Sequence, residues 1–429
     1  MCLGIIEDAN NGKITREMEI VAKEEGVTPD FIRRGIVSGK IVIPISPYRE
    51  VKLAGIGKGL KTKVNATVGT SSDIVNLEME IKKTRAAEEA GADTLMELST
   101  GGEFYEIRKN VIENTSLSVG SVPLYQAFIE AIRKYGAGVD MTEDDLFRIT
   151  EEQAKLGTNF MAIHTGINSI CVERLKRQGG RYGGLCSRGG AFMVAWMLHN
   201  EKENPLYSEF DYLLEILKEH EVTLSTGNGL RAGAVHDATD RGQIQELIIN
   251  SELADKAHDF GVQAIIEGPG HIPINEIEAN VKVMKRMSNE KPFYMLGPLV
   301  TDIAPGYDHL VAAIGASLSS SYGADFICYV TPAEHLALPN EEDVKEGVMA
   351  SRIAAHVGDM IKNGDRDQDL AMGRARRDLL WKEQFDLAID PETAKIIRAE
   401  RSPADSSVCT MCGDFCAHKI VAENIDLKK

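Results

Sequence analysis

QAIIEGPGH (residues 263–271) is followed in this chain by PINEIEANVKVMKRMS (273–288) and then by PFYMLGP (292–298). A short apolar run, an amphipathic helical stretch and a second apolar run predict a strand–helix–strand unit with parallel strands. Eight or nine such units over about 270 residues favour a closed (β/α)8 barrel of the TIM type, an α/β fold. The other candidate strands are KVNATVG (63–69), TLMELSTGG (94–102), SVGSVPLYQ (118–126), FMAIHTG (160–166), GLCSRGG (184–190), VTLSTGNG (222–229) and DFICYVTP (325–332).

Nearly every candidate strand ends in polar or glycine-rich residues. A barrel gathers the carboxyl ends of its strands on one face, and its catalytic groups come from several of them. An open doubly wound sheet would show a phosphate-binding glycine motif, and no GxGxxG follows the first strand. The sequence therefore predicts one site at that face, built from Asn65, Glu97, Leu98, Ser99, Tyr125, His164, Ser187, Arg188, Gly189, Asn228, Glu267 and Tyr294.

Four segments are predicted along the chain. They are a helical and extended lead-in (1–60), the catalytic barrel (61–338), C-terminal helices (339–402) and a flexible tail (403–429). Within the lead-in, Thr28 and Pro29 are a cap and a first-turn residue that predict the start of a helix. Beyond the barrel, helices are predicted over 341–362, over 368–389 and from the Asp390-Pro391 pair onward.

The composition is that of a soluble globular protein, with 43% hydrophobic and 26% charged residues. There are 65 acidic and 48 basic side chains, and the formal charge of −17 argues against nucleic-acid and anionic-membrane partners. No signal-peptide pattern and no bilayer-spanning apolar run is visible, so we expect a cytoplasmic protein. In such a reducing compartment, cysteines act as metal ligands, catalytic groups or core residues rather than as disulfides. Cys328 is predicted to be a small buried hydrophobic residue.

Cys409, Cys412 and Cys416 lie close together in CTMCGDFC (409–416). Three such thiolates can hold three irons of a four-iron cluster and leave the fourth open, whereas most electron-carrier clusters need a fourth protein ligand. An open cluster suits the reductive cleavage of S-adenosylmethionine, which generates a carbon radical. A zinc site with His418 as fourth ligand is the second interpretation, and ordinary or reactive thiols are the third.

His271 and His335 occupy glycine- or proline-shaped loops at the ends of late strands. Two histidines with open positions for water or substrate can hold a metal ion. The alternative is that each is a loop histidine bonded to a backbone carbonyl, or a general acid or base. His309, at a predicted helix start, is expected to be structural.

Two glycine-rich runs suit a phosphate group. SRGG (187–190) and GNGLRAG (227–233) offer backbone N–H groups, a hydroxyl and the Arg231 guanidinium at strand ends. Ordinary glycine turns are the alternative. Glu267 and Asp302 are candidates for acid–base work or for binding ribose hydroxyls, and helix capping is an equal alternative for Asp302.

SRGG, IEGPGHIP, FYMLGPLVTDIAPGYDH, YVTPAEHLALPNEEDVKEGV and CTMCGDFC together resemble the thiamin pyrimidine synthase family. This is a radical S-adenosylmethionine group outside the main CxxxCxxC superfamily, and the resemblance runs from about Ile20 to Ile420. Its members convert 5-aminoimidazole ribotide. One branch makes hydroxymethylpyrimidine phosphate for thiamin, and a paralogous branch makes 5-hydroxybenzimidazole for anaerobic cobalamin synthesis.

The resemblance implies a cofactor set and a substrate site. Cys409, Cys412 and Cys416 would hold a 4Fe-4S cluster, and His271 and His335 a divalent metal, zinc or iron, with zinc favoured. A separate electron donor would reduce the cluster, and a homodimer would let each tail reach the partner's barrel. The implied ribotide site consists of Asn65, Met96, Tyr125, His164, Ser187, Arg188, Gly189, Asn228, Gly229, Leu230, Arg231, Glu267 and Tyr294.

Departures from the thiamin pattern bear on the branch. This chain has MELSTG with Glu97 where the thiamin enzymes carry MDLSTG, and NGLRAG with Asn228 where they carry DGLRPG. It also has NATVG (65–69) where they carry NANIG. Because these positions are predicted to face the substrate, Glu97 and Asn228 become candidate product-directing groups. The departures favour a 5-hydroxybenzimidazole synthase, with the thiamin enzyme as the alternative and a zinc-tailed, non-enzymatic binding protein as a remote one.

Overall fold

Eight parallel strands form a closed barrel in the computed structural model, which describes residues 4–403 and 406–425. Two further strands, β1 (Ile41–Val42) and β2 (Ile56–Gly57), make a small antiparallel sheet in the lead-in. The barrel is closed by pairing of its last strand with its first, so its strand order follows the chain. The barrel strands are β3 (Lys63–Val68), β4 (Thr94–Glu97), β5 (Ser118–Ser121), β6 (Phe160–Ile163), β7 (Thr223–Thr226), β8 (Ala264–Glu267), β9 (Phe293–Leu296) and β10 (Phe326–Cys328).

Helices cover the outside of the barrel, and they also build the lead-in and the C-terminal part. A barrel strand is covered on both faces, which is why these runs are almost wholly apolar or uncharged. In the described residues the helices are α1 (Ile5–Asn10), α2 (Arg16–Glu25), α3 (Pro29–Val37), α4 (Leu77–Glu89), α5 (Phe104–Glu113), α6 (Pro123–Tyr135), α7 (Glu143–Lys155), α8 (Ser169–Arg177), α9 (Arg188–Asn200), α10 (Pro205–Ser208), α11 (Phe210–Glu219), α12 (Arg241–Phe260), α13 (Ile277–Met287), α14 (Asp308–Tyr322), α15 (Glu341–Lys362), α16 (Asp367–Arg377), α17 (Trp381–Leu387), α18 (Pro391–Glu400) and α19 (Ala417–Asn424).

The barrel prediction is confirmed, with one strand fewer than the nine candidates. GLCSRGG (184–190) is not a barrel strand. Its first residues form a loop, and Ser187 caps α9 by accepting a hydrogen bond from Gly190 N at 3.0 Å. A Cβ on Gly190 would lie 2.0 Å from Gly229 O, so the glycine pair serves close packing of two loops rather than a strand.

Two compact units divide the chain between Asn363 and Gly364. The division falls inside the predicted C-terminal helical segment, so the predicted boundaries at 60, 338 and 402 stay predictions. The helix predicted over 341–362 is α15, capped by Asn340, whose side chain accepts from Glu342 N and Asp343 N. In the lead-in, Thr28 caps α3 as predicted, accepting from Phe31 N at 3.2 Å.

The helix predicted over 368–389 is wrong as a single element. It is broken into α16 and α17, because Leu379 takes the left-handed conformation with φ of 54°. Leu380 N then donates to Ala375 O at 2.9 Å, which closes the end of α16. None of the helices in residues 4–403 and 406–425 combines the length and apolar composition that a bilayer crossing requires.

The segment before the cysteines is bound to helices of the second unit. Trp381 Nε1 donates to Ser407 O at 2.9 Å, and Arg398 Nη2 donates to Ser406 O at 2.7 Å and to Val408 O at 3.2 Å. The Arg398 guanidinium carbon lies 3.5 Å from the centroid of the Trp381 ring. Over 406–408, therefore, the chain is not the loose tether that its polar sequence predicts. Residues 404, 405 and 426–429 of the predicted tail lie outside the described residues.

Candidate active site

A cavity of about 470 Å³ opens at the carboxyl ends of the barrel strands. This is the face on which the polar strand ends were predicted to meet. Nine of the predicted residues line it: Met96, Leu98, Tyr125, His164, Arg231, Glu267, His271, Tyr294 and His335. The structure thus brings residues from seven strands and their loops to one place, as expected for a barrel enzyme.

The floor of the cavity is a fixed polar pair. Asn65 is fully buried on β3, where its Nδ2 donates to the Tyr294 hydroxyl at 2.8 Å and its Oδ1 accepts from Thr94 Oγ1 at 2.8 Å. Since Tyr294 accepts from Asn65, its own O–H points onward, towards Met96 Sδ at 3.9 Å and the cavity. Burial raises the pKa of Tyr294 well above its ordinary value, so this hydroxyl is a proton-bearing donor.

His164 is held as a neutral imidazole in the cavity wall. Burial, assisted by the Arg231 charge, lowers its pKa to about 3. The Ser187 hydroxyl accepts from Gly190 N and shares a hydrogen bond of 3.0 Å with His164 Nε2. His164 Nδ1 is buried and has no partner among the described residues. A Cβ on Gly189 would lie 2.2 Å from His164 Cε1, so a glycine is required there.

Positive charge collects on the side of the cavity formed by Arg188 and Arg231. The Arg188 guanidinium carbon lies 5.1 Å from the centre of the Tyr125 ring. Arg231 Nη1 donates to Asn228 O at 3.0 Å. Across from them, Glu267 accepts from Ser225 Oγ at 2.9 Å, and burial raises its pKa although the Arg231 charge opposes this. The wall therefore offers two cations and one carboxyl group to a ligand.

Glu246, on α12, was not predicted from the sequence. It is fully buried and receives three donors from the GNGLRAG loop: Gly229 N at 2.7 Å, Leu230 N at 2.8 Å and Asn228 Nδ2 at 2.9 Å. Burial raises the pKa of Glu246 to about 8. Asn228, Gly229 and Leu230 thus support the loop that presents Arg231. Asn228 Nδ2 is bound to Glu246, and the expectation that Asn228 faces the substrate stays a prediction.

The Glu97 side chain is also turned away from the cavity. Its carboxylate pairs with Arg108 at 2.9 Å, with both side chains buried, and accepts from Ser99 N at 2.7 Å. Arg108 in turn donates to Gln126 Oε1 at 2.9 Å. Arg108 of α5 thus accounts for the buried carboxylate, and a contact of Glu97 with the substrate stays a prediction. Its role as a product-directing group stays a prediction.

The cavity-lining side chains that the sequence did not assign to the site include Cys186, Cys328 and Glu334. Cys328 was predicted to be a simple core residue, but its Sγ lies 3.9 Å from Asn65 Nδ2 on the cavity wall, and burial raises its pKa to about 11. The register of β10 against β3, which pairs Cys328 with Asn65, brings it there. That pairing is a long-range contact that no local pattern reveals.

The two predicted metal histidines lie side by side. The ring centroids of His271 and His335 are 5.3 Å apart, although they come from the loops after β8 and β10. His271 Nδ1 donates to Asp302 Oδ1 at 2.8 Å, which leaves Nε2 as a lone-pair donor. Burial lowers the pKa of His271, which favours the neutral, metal-binding form. Two neighbouring imidazoles of this kind fit a divalent metal with open positions.

Cys409, Cys412 and Cys416 lie in one tight turn of the second unit. Gly413 N donates to Cys409 O and Phe415 N to Cys412 O, both at 3.0 Å. Three thiols within eight residues are a donor set that fits a four-iron cluster with one open iron. Across residues 4–403 and 406–425, no three His, Cys, Asp or Glu side chains are already arranged around one metal position. His418, the alternative zinc ligand, is exposed on α19.

Comparisons with known proteins agree with these features. Residues 4–423 match the model of the family described as "Radical SAM ThiC family". The chain is 73% identical to "Phosphomethylpyrimidine synthase 1" of Methanosarcina barkeri, over 99% of this chain and 100% of that protein. It is 74% identical to "Phosphomethylpyrimidine synthase" of Methanospirillum hungatei JF-1, over 97% and 98%. It is 71% identical to "Phosphomethylpyrimidine synthase 2" of Methanosarcina mazei, over 99% and 100%.

The family match decides between the interpretations of the cysteine motif. A radical S-adenosylmethionine family implies a 4Fe-4S cluster and S-adenosylmethionine, and it supports an enzyme rather than a zinc-tailed binding protein. The full-length coverage leaves no part of the barrel or of the cysteine turn outside the match. On the sequence motifs, the barrel site and these comparisons together, the chain belongs to the ThiC radical SAM family.

Proposed function

We propose that this chain is a phosphomethylpyrimidine synthase, which converts 5-aminoimidazole ribotide into hydroxymethylpyrimidine phosphate for thiamin biosynthesis. The observation that carries the proposal is the 71–74% identity to three full-length relatives that bear this name. The departures at Glu97 and Asn228 favour 5-hydroxybenzimidazole synthesis on the sequence alone, which makes the thiamin branch the alternative. Both side chains bind Arg108 and Glu246 behind the cavity wall, which weakens the reason for that preference.

The cavity side chains suit a phosphorylated ribotide. Arg188 and Arg231 supply the cations that a phosphate group needs, and Arg231 adds the planar donor fork that pairs with phosphate oxygens. Glu267 and the Tyr294 hydroxyl are positioned to orient the sugar, one as an acceptor and one as a donor. His164 Nδ1, which lacks a partner among the described side chains, is a further polar atom for the ligand.

The cofactors are assigned to two donor sets. Cys409, Cys412 and Cys416 would hold the 4Fe-4S cluster, and the cluster together with S-adenosylmethionine supplies the radical chemistry when bound. His271 and His335 would hold a divalent metal, with zinc as the first candidate, through the nitrogen atoms that face the cavity.

The assembly is also proposed rather than observed. We infer a homodimer in which the cysteine turn of each chain serves the barrel of its partner, and a separate electron donor that reduces the cluster. The net charge of −17 remains the argument against nucleic-acid and anionic-membrane partners. We also infer a cytoplasmic location, as expected from the sequence.

Mass spectrometry of one anaerobic reaction tests the proposed activity. The reaction contains the iron- and sulfide-reconstituted chain, aminoimidazole ribotide, S-adenosylmethionine and a strong reductant. The expected product has the mass of hydroxymethylpyrimidine phosphate. A hydroxybenzimidazole mass would overturn the proposal in favour of the cobalamin branch. The Cys412→Ala variant, which lacks one cluster ligand, is the matched control and should yield neither product.

A further inference from the structure

The segment between β9 and α14 places one carboxylate behind each of the two metal-candidate histidines. Asp302 Oδ1 accepts from His271 Nδ1 at 2.8 Å. Asp308 Oδ2 lies 3.7 Å from His335 Nδ1. The two histidines belong to different loops, whereas the two carboxylates are six residues apart on one segment. A single piece of chain therefore faces the outer nitrogen of both rings.

Asp302 is fixed from two sides. While Oδ1 holds His271, Oδ2 accepts from Val235 N at 2.9 Å, in the loop that follows Arg231. The carboxylate therefore ties the orientation of His271 to the loop that carries the phosphate-binding arginine. With Nδ1–H committed to Asp302, Nε2 is the nitrogen that can bind a metal.

Asp308 Oδ2 makes no hydrogen bond to another described residue. The residue is only 3% exposed, and this oxygen is buried. A buried, unpaired charged oxygen is costly, so such a group calls for a partner. His335 Nδ1 lies 3.7 Å from this oxygen, and the ring needs to approach by roughly 0.8 Å to reach a normal hydrogen-bond distance.

His335 is held in a backbone conformation that presents it to this segment. Its φ of 60° lies in the left-handed region, which non-glycine residues rarely adopt. Backbone strain of this kind is kept where a side chain must point in one direction. Its side chain is still 47% exposed, so the ring has room to move onto Asp308.

We propose that Asp302 and Asp308 are positioning residues for the metal site, each taking the Nδ1–H of one histidine so that both Nε2 atoms face the same metal ion. Asp302 is already engaged, and Asp308 engages when metal binding draws in the His335 ring. This inference rests on the proposed metal pair of His271 and His335. It adds to that pair the two groups that set its geometry.

The test is Co²⁺ binding to the full-length, cluster-loaded chain, followed by its ligand-field absorbance. Loading the cluster first occupies the thiols of Cys409, Cys412 and Cys416, so that they do not bind Co²⁺. The His271→Ala/His335→Ala double variant defines the signal of the histidine site. We expect Asp302→Ala and Asp308→Ala each to weaken Co²⁺ binding by about 10- to 100-fold, the usual effect of removing such a partner. The conservative Asp302→Asn keeps an acceptor oxygen and should lose less than Asp302→Ala.

Asp144→Ala, at an exposed position on α7, is the matched control and should bind Co²⁺ like the parent chain. If both aspartate variants bind within twofold of the parent while the double histidine variant has lost the site, the positioning role is wrong and the metal pair stands. If the double histidine variant binds as the parent does, the metal pair itself is wrong. Weaker binding that appears only together with a lower melting temperature would reduce both aspartates to structural residues and overturn the inference.

Discussion

At the level of single residues, the hydrogen bond of Asn228 to Glu246 accounts for an amide at this position. The residue is expected to face the substrate, and its Nδ2 donates to Glu246 at 2.9 Å inside the protein. An amide is suited to this place because it brings a donor to a buried carboxyl group without adding a second charge. The change from Asp to Asn relative to the thiamin pattern therefore concerns the support of the loop.

The pair predicts a specific pH dependence for Asn228→Asp. Burial raises the pKa of Glu246 from 4.5 to about 8, so its contribution to stability is present at acid pH and is lost as the pH rises through that range. A second carboxyl group beside it cannot ionise at the same time, which raises the pKa values of the pair further. We expect the variant to melt near the parent temperature in acid and well below it at about pH 9.

Scanning calorimetry across that pH range measures the effect. Asn76→Asp is the matched control, because Asn76 is an exposed cap of α4 and both residues cap helices well. Equal pH dependence of the two variants would contradict a shared-proton pair at Asn228 and Glu246.

At the level of elements, the order of barrel strands follows directly from the sequence, and its errors have physical causes. Eight of nine candidate strands are strands, because a strand covered on both faces must be a short apolar run. GLCSRGG was misread since its glycines serve contact with a distant loop, at Gly229. The break at Leu379 has no glycine or proline to announce it.

The candidate site was predicted as well as strand ends allow. Position along a strand places Asn65, Glu267 and Tyr294 at the right end of the barrel, and the cavity contains or borders all three. Position along a strand does not give the direction of a side chain whose partner lies on another element. Glu97 turns to Arg108 on the next helix, and Glu246 meets a loop from the middle of α12. Both are long-range pairs between chemically ordinary residues, so the sequence carries no local sign of them.

The clamp that Trp381 and Arg398 form on residues 406–408 leads to a prediction for Arg398→Ala. The guanidinium donates to two backbone carbonyls immediately before Cys409 and stacks on Trp381. Exposed contacts of this kind contribute about 1 kcal/mol. We expect the reconstituted variant to release iron to a chelator about fivefold faster under anaerobic conditions.

Lys395→Ala is the control for that experiment. Lys395 lies on the same helix, α18, and pairs with the exposed Glu392. Iron release from the two variants at one common rate would show that the clamp does not support the cysteine turn.

At the level of the whole molecule, exchange of cysteine turns between two chains can be tested by complementation. Cys412→Ala removes a proposed cluster ligand and Arg231→Ala the proposed phosphate ligand, so each homodimer should be inactive. Heterodimers, isolated through two different tags, combine one intact barrel with the partner's intact turn. We expect about half of the parent activity per dimer, since one of two symmetric sites is complete. Activity no higher than that of the inactive homodimers would place each cysteine turn with its own barrel.

The boundary between Asn363 and Gly364 has a consequence for survival in air. The proposed cluster ligands belong to a short compact unit, whereas the residues that line the barrel cavity all precede that boundary. Loss of the cluster to oxygen would then affect the small unit, while the fold of the larger barrel unit is kept. A chain that has lost its cluster would then regain activity when iron and sulfide are supplied, without new protein synthesis.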